Sequence, residues 1–244
     1  MEQEVKKIIT WVKEYVENSN AKGVVIGNSG GKDSAVVMAI AANALGKENV
    51  LAVAMPCLSN NSDLEDAKLV ADTFGVKMIN VDLSEIYLDL ESGIQKSLNK
   101  AVSSDSKINM KPRLRMATLY SIAQTLGYLV IGTGNLCEAT VGYTTKWGDS
   151  AYDFNPIANF TVEEVLEIGR ILDVPDKIIK KAPNDGLGSG TDEEKMGILY
   201  SQISEYINTG KTDSKAMQKI KEMNKKSEHK RRPSPVYPYK RKKI

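Results

Sequence analysis

The chain has 244 residues, is 41% hydrophobic and 26% charged, and carries a formal net charge of +2. These values are ordinary for a globular protein, and a chain this long can bury a sizeable core. No apolar run nears the roughly 20 residues a membrane-spanning helix needs, and the charged opening MEQEVKKIITWVKEYV has no signal-peptide core; the expectation is a cytosolic protein without a membrane partner.

Residues 4–18 place Val5, Ile8, Ile9, Val12 and Val16 on one helical face. GVVIG (23–27) reads as a buried strand, followed by a helix over 33–45 and a second strand, NVLAVAM, over 49–55. Ser62 and Glu65 have the spacing of a capping box that opens a helix to about residue 74. VKMINV (76–81) is a third strand, helices are expected over 83–103 and 112–126, and YLVIGT (128–133) is a fourth strand. Thr161 and Glu164 form another capping box for a helix to about 172, and helices are expected over 193–207 and 212–226. Pro233, Pro235 and Pro238 make the tail, about 227–244, extended. No internal repeat or long linker appears, so one domain over 1–244 is expected.

Strands that are apolar throughout, alternating with helices, predict an α/β fold. Its sheet is doubly wound and mostly parallel, with helices on both faces and extra C-terminal helices. Ligands in such sheets bind beyond the carboxyl ends of the strands. Two polar, Gly-containing loops lie at that edge, 27–34 and 133–154.

The first of these loops, Gly27-Asn28-Ser29-Gly30-Gly31-Lys32-Asp33-Ser34, looks like a phosphate-binding loop, though not of a common type. A Walker A loop needs Ser or Thr after Gly-Lys and a Gly five residues before it. Here Asp33 follows Gly31-Lys32, and Ile26 stands at the earlier position. The dinucleotide pattern fails as well, because Asn28 and Ser29 follow Gly27. What remains is physically readable. The glycines let backbone N–H groups converge, the next helix offers its N-terminus, and Ser29 and Ser34 add hydroxyls. A carboxylate at Asp33 beside an anion site makes sense when Mg²⁺ lies between them. The plainer alternative is a capped Gly-rich turn, disfavoured by the strand before and the helix after.

Other chemistries find little support. The two cysteines, Cys57 and Cys137, form no CxxC pair, so neither a zinc site nor a disulfide framework is expected. His229 is the single histidine, which argues against Ser-His or Cys-His catalysis. From Lys225 onward there are nine Lys/Arg and one Glu, a balance of +8, against −6 for the rest. Such a tail can be solvated, can touch nucleic acid, or can fold over an anionic ligand.

The loop resembles the PP-loop of the N-type ATP pyrophosphatases, which cleave ATP between the α and β phosphates to adenylate a carboxyl or carbonyl oxygen. Four further blocks narrow the resemblance. They are NMKPRLRMATLY (109–120), VIGTGNLCEATVGYTTKWGDSAYDFNPIANFTVEEV from 130, KAPNDGLGSGTDEEKMG from 181, and EHKRRP at 228–233. In this order they are similar to the ammonia-dependent NAD synthetase family over almost the whole chain.

That resemblance implies an adenine nucleotide alpha hydrolase-like fold and a ligase. Deamido-NAD would be adenylated by ATP with Mg²⁺, and ammonia would then displace AMP to give NAD. It further implies ATP contacts from Gly27 to Ser34, Thr133 and Thr191, and magnesium carboxylates at Asp33 and Glu138. Deamido-NAD contacts would fall at Arg113, Lys146, Asp153, His229 and Lys230. A homodimer is implied, and no nucleic acid. Asp149 is the candidate group for binding ammonium and taking its proton.

Two features depart from or bear on this pattern. Val162 stands where the family usually has a lysine on ATP phosphate, and Lys32 is the candidate to replace its charge. Only about 22 residues precede the first strand, which leaves no room for a glutaminase domain, so free ammonia or a separate subunit is expected as nitrogen donor. The rival readings are another PP-loop enzyme acting on tRNA, with the basic tail on RNA, and a nucleotide-binding sensor.

Overall fold

The structure is a computed structural model that describes residues 1–59, 61–181 and 190–239. Four strands form one parallel sheet: β1 Val24–Gly27, β2 Val50–Ala54, β3 Lys77–Asn80 and β4 Leu129–Ile131. Their order is β3-β2-β1-β4. The chain thus winds one way from β1 to β3 and returns to the other side of β1, which makes the β1/β4 boundary a switch point. Just past it, Ile131 makes an isolated parallel bridge to Phe154.

Alternation along the strands sorts the core into two layers. Val24, Ile26, Val50, Ala52 and Ile131 face one layer, which is covered by α1 Glu2–Asn18, α2 Lys32–Leu45, α3 Asn61–Phe74 and α7 Val162–Ile171. Val25, Leu51, Val53 and Val130 face the other, covered by α4 Ser84–Leu98 and α5 Ser104–Leu126. Both faces of the sheet are covered at β1 and β2, which is why those strands read as apolar runs rather than alternating ones, whereas Lys77 and Asn80 of the edge strand β3 stay exposed. A third cluster joins α6 Leu136–Val141 to α9 Asp192–Met196, α10 Tyr200–Thr209 and α11 Ser214–Lys226, through Cys137, Val162, Met196, Tyr200, Ile203 and Ile220. The short α8 is Asp176–Ile179 and α12 is Glu228–Arg231. Among the described residues, no helix is long and apolar enough to cross a membrane.

Four boundaries differ from expectation for identifiable reasons. α5 begins at Ser104 and runs through buried Pro112, whereas a helix starting at 112 was expected. Ser103 caps it instead, accepting from Ser106 N at 3.3 Å. The helix expected over 193–207 is two helices, because Gly197 adopts φ +62° and ends α9. α3 already includes Asn61 and Ser62, so Ser62 lies inside the first turn and the preceding position falls outside the described residues. The tail opens with α12 before becoming irregular over 232–239. The loop over 182–189 and residues 240–244, both read in the sequence, lie outside the described residues.

Candidate active site

The loop 27–34 leaves β1 at the switch point and enters α2, with Gly31 as N-cap. Only one of its paired glycines needs to be glycine for backbone reasons. Gly30 has φ +71°, and a Cβ there would sit 2.6 Å from Asp63 O and 2.8 Å from Ala67 N. Gly31 has φ −94°, and its Cβ would meet only Ser29 Oγ at 3.2 Å. The loop is pinned from below by Asn28, which is buried. Its amide donates to Ala67 O at 2.7 Å and its side-chain oxygen accepts from Gly30 N at 3.3 Å. Ser29 and Ser34 hydroxyls lie 3.1 Å apart, and Ser34 Oγ donates to Gly31 O at 3.0 Å.

These residues open onto a cavity of about 800 Å³, a size suited to a nucleotide-scale ligand. Its walls include Gly27, Asn28, Ser29, Gly31, Lys32, Asp33, Ser34, Thr133, Glu138, Asp149 and Lys230. Residues from both polar loops, 27–34 and 133–154, therefore meet in one space, together with the tail.

Glu138 rides on α6 in a capping box: Asn135 Oδ1 accepts from Glu138 N at 3.1 Å, and Glu138 Oε2 accepts from Asn135 N at 2.9 Å. Burial first, then the charge of Asp33, pushes the Glu138 carboxyl up to about 8, against the pull of Lys32. It is ringed by protein yet lines the cavity. Asp33 accepts from Lys32 Nζ at 3.0 Å on Oδ2 and from Asn135 Nδ2 at 3.5 Å on Oδ1. Lys32 is buried, with Nζ 5.5 Å from the centre of the Tyr200 ring. Burial pulls its pKa down, but Asp33, Glu138 and Asp192 more than offset this and raise it. Val162 is buried in the C-terminal cluster and is not among the residues lining the cavity.

Asp149 reaches the cavity from the second loop, where its Oδ1 accepts from Thr145 N at 2.7 Å. Burial raises its pKa, with its backbone hydrogen bonds and Lys230 opposing. Lys230 comes from the tail and donates to Gly142 O at 2.8 Å and Thr144 O at 2.6 Å. Asn224 donates to Thr140 O at 2.7 Å, and Arg231 to Ala139 O at 3.0 Å. The end of α11 and the tail thus supply donors to the free carbonyls at and just past the end of α6. Close packing goes with this, since a Cβ on Gly142 would lie 2.0 Å from Ser227 Cβ.

Arg113, Lys146, Asp153, His229 and Thr191 do not line the cavity. Three of them form an exterior chain: Arg113 donates to Lys146 O at 3.4 and 3.3 Å, and Lys146 Nζ to His229 O at 2.8 Å. Asp153 lies apart, accepting from Val130 N at 2.7 Å and from Tyr120 OH at 3.3 Å. Thr191 caps α9 by accepting from Glu194 N at 3.2 Å, and the next residue, Asp192, is the one on the cavity wall.

The sequence reading missed Arg115, which lines the cavity with Pro112, Met116 and Leu119 while its Nε donates to Met55 O at 3.1 Å. Those four positions repeat at 3, 4 and 7 residues, the stripe of one helical face. That spacing distinguishes Arg115 from Arg113, which is two residues away and exposed.

Among the described residues, no group of three or more His, Cys, Asp or Glu could hold a metal by itself. Two carboxylates at the mouth of a phosphate loop nevertheless fit Mg²⁺, which commonly takes one or two carboxylates and completes its shell with water and substrate phosphate.

Comparison with known proteins agrees with this geometry. The family model described as NAD synthase matches residues 4–234. The chain is 44% identical over 232 residues to the NH(3)-dependent NAD(+) synthetase of Carboxydothermus hydrogenoformans, with 95% of each chain covered. Among solved structures, it is similar to the NMN synthetase from Francisella tularensis, at TM-score 0.92 and 32% identity with 98% of each chain covered. The NH3-dependent NAD synthetase from Campylobacter jejuni superposes at TM-score 0.78 and 30% identity, covering 97% of this chain and 98% of that one. A match over nearly the full chain, joined to a Gly-rich loop at 27–34 that opens on one cavity with Glu138 and Asp149, places this chain in the NAD synthase family.

Proposed function

We propose that the chain makes NAD from deamido-NAD, ATP and ammonia, in two steps. In the first, a carboxylate oxygen of deamido-NAD attacks the α phosphorus of ATP. The bond to the bridging oxygen breaks, leaving pyrophosphate and an acyl-adenylate. In the second, ammonia attacks the acyl carbon, the bond to the adenylate oxygen breaks, and AMP leaves. The observation that carries this reading is the meeting of Asp33, Glu138 and Asp149 on one cavity beside the phosphate loop.

Gly27 to Ser34 and Thr133 would hold the ATP phosphates, using the α2 N-terminus and the two serine hydroxyls. Thr191 is assigned to ATP by the resemblance alone, since its hydroxyl already caps α9. Asp33 and Glu138 would hold Mg²⁺ against the phosphate oxygens, where it supplies charge neutralisation for the departing pyrophosphate. Lys32 would contribute a fixed positive charge beside the same oxygens. Arg113, Lys146, His229 and Lys230 would bind deamido-NAD along the rim formed by the tail, and Asp153 would bind it from beside β4. Asp149, at the cavity wall near Lys230, would bind ammonium and take a proton as nitrogen attacks.

A homodimer belongs to this proposal. It is supported by exposed apolar side chains on the outer-layer helices, Ile86, Leu88, Leu90 and Leu98 on α4 and Leu126 on α5. So does a cytosolic location. The Lys230 and Arg231 contacts to α6 favour a tail that serves the site over one that binds RNA.

The high similarity to the Francisella tularensis NMN synthetase favours a second reading, the same amidation on a mononucleotide. Comparing kcat/KM for deamido-NAD and nicotinate mononucleotide, at equal MgATP and ammonium, separates the two. Preference for deamido-NAD is expected, and a mononucleotide preference would replace the first reading with the second.

A further inference from the structure

We infer that Asn135 is a positioning residue that holds Asp33 and Glu138 in register across two separate loops. The inference rests on reading those carboxylates as the magnesium pair, and concerns the residue between them.

Asn135 is 1% exposed and stands at the N-cap of α6. It is bonded to both carboxylate residues at once. Its side-chain oxygen accepts from Glu138 N at 3.1 Å, and its backbone N–H donates to Glu138 Oε2 at 2.9 Å. Its Nδ2 donates to Asp33 Oδ1 across a longer 3.5 Å. The backbone on either side is fixed. Gly134 O accepts from Asn155 Nδ2 at 2.8 Å, and Leu136 N donates to Phe160 O at 2.9 Å.

Capping α6 needs only an acceptor, and Ser, Thr or Asp serve that purpose as well as Asn. An amide adds the one thing they lack here, an N–H donor far enough out to reach Asp33 while the oxygen stays on the helix. Asp33 and Glu138 come from α2 and α6 and repel once both are ionised, the state a metal ion requires, so a residue that donates to both favours that state. Lys32 holds the other oxygen of Asp33, at 3.0 Å. Asn135 and Lys32 together fix that carboxylate from two sides, leaving its orientation toward the cavity determined before ligand arrives. Partners of this kind, touching ligands rather than metal, commonly change metal affinity or activity by about 10–100-fold.

The test uses the full chain with Asn135→Ser and Asn135→Thr, whose hydroxyls cap the helix but stop one bond short of Asp33. Mn²⁺ binding is read by electron paramagnetic resonance with a non-hydrolysable ATP analogue, beside Tm and steady-state kinetics. Both variants are expected to keep a Tm near wild type. Mn²⁺ affinity should weaken by about tenfold or more, and kcat should fall while KM for ammonium holds. Asn135→Ala should lower both Tm and Mn²⁺ affinity. The proposal is overturned if Ser and Thr bind Mn²⁺ like wild type while Asp33→Asn and Glu138→Gln bind it weakly. If those two carboxylate variants also bind Mn²⁺ like wild type, the two-carboxylate reading itself falls.

Discussion

Two adjacent glycines in the phosphate loop should respond very differently to the same methyl group. At Gly30, alanine must adopt φ +71°, which costs about 1–2 kcal/mol for a residue with a Cβ. The methyl would also stand 2.6 Å from Asp63 O and 2.8 Å from Ala67 N, where real contacts stay above 3.0 Å. Both obstacles are backbone atoms of α3, so relief comes only by moving the loop or the helix by several tenths of an ångström. For a chain of this size the conformational term alone lowers Tm by about 2–8 °C. Misplacing reacting groups by about 1 Å can cost about 10²-fold in rate. At Gly31 the backbone is already in an ordinary region, and the methyl meets only Ser29 Oγ at 3.2 Å, a side-chain atom that needs to give by only a few tenths of an ångström. Thermal melts and kinetics with ATP as the varied substrate compare Gly30→Ala with Gly31→Ala. The expected result is a lower Tm and a large loss of kcat/KM for Gly30→Ala, with Gly31→Ala near wild type in Tm. Equal melts for both variants would refute this account of how the loop is held.

Three further outcomes follow from the site. Because burial and Asp33 push Glu138 up to about 8, Mn²⁺ must displace a proton below that pH, and its affinity should climb by up to about tenfold per pH unit. The folded metal-free chain also keeps that proton between the ordinary value of 4.5 and about 8, so stability falls as pH rises through this window. Both trends should vanish in Glu138→Gln, and persistence of either in that variant rejects the assignment. Lys32→Met should lower kcat by about 10²-fold or more and raise KM for ATP, whereas unchanged constants would show that Lys32 takes no part in ATP use. Asp149→Asn should lower kcat/KM for ammonium while pyrophosphate release still occurs, and a wild-type value with ammonium excludes Asp149 as the proton acceptor.

The layered α/β order was readable because strands buried on both faces must be apolar throughout, as Val24 to Ile26 and Val50 to Ala54 are. Capping boxes were readable where their partners are local, as at Thr161 and Glu164. The start of α5 was missed because the cap at Ser103 leaves only a weak signal, and the helix runs on through Pro112 at the cavity wall. At the site, the Gly-rich turn between β1 and α2 was readable from local backbone needs, as at Gly30 with φ +71°. The choice between Arg113 and Arg115 depended on which helical face meets the cavity, a matter of phase along α5 rather than residue type. Asn135 was invisible for a different reason. Its bond to Asp33 spans 102 positions, and an N-cap asparagine looks the same whether or not its amide reaches a second carboxylate. The basic tail gave only its charge, whereas its use by the end of α6 depends on carbonyls that no composition reveals.

The central claim is the AMP-forming amidation, and its most direct measurement is product stoichiometry. The purified chain, MgATP, ammonium and deamido-NAD should yield NAD, AMP and pyrophosphate in equal amounts, without glutamine and without RNA. Release of ADP and orthophosphate, or ATP cleavage with no NAD formed, would contradict it.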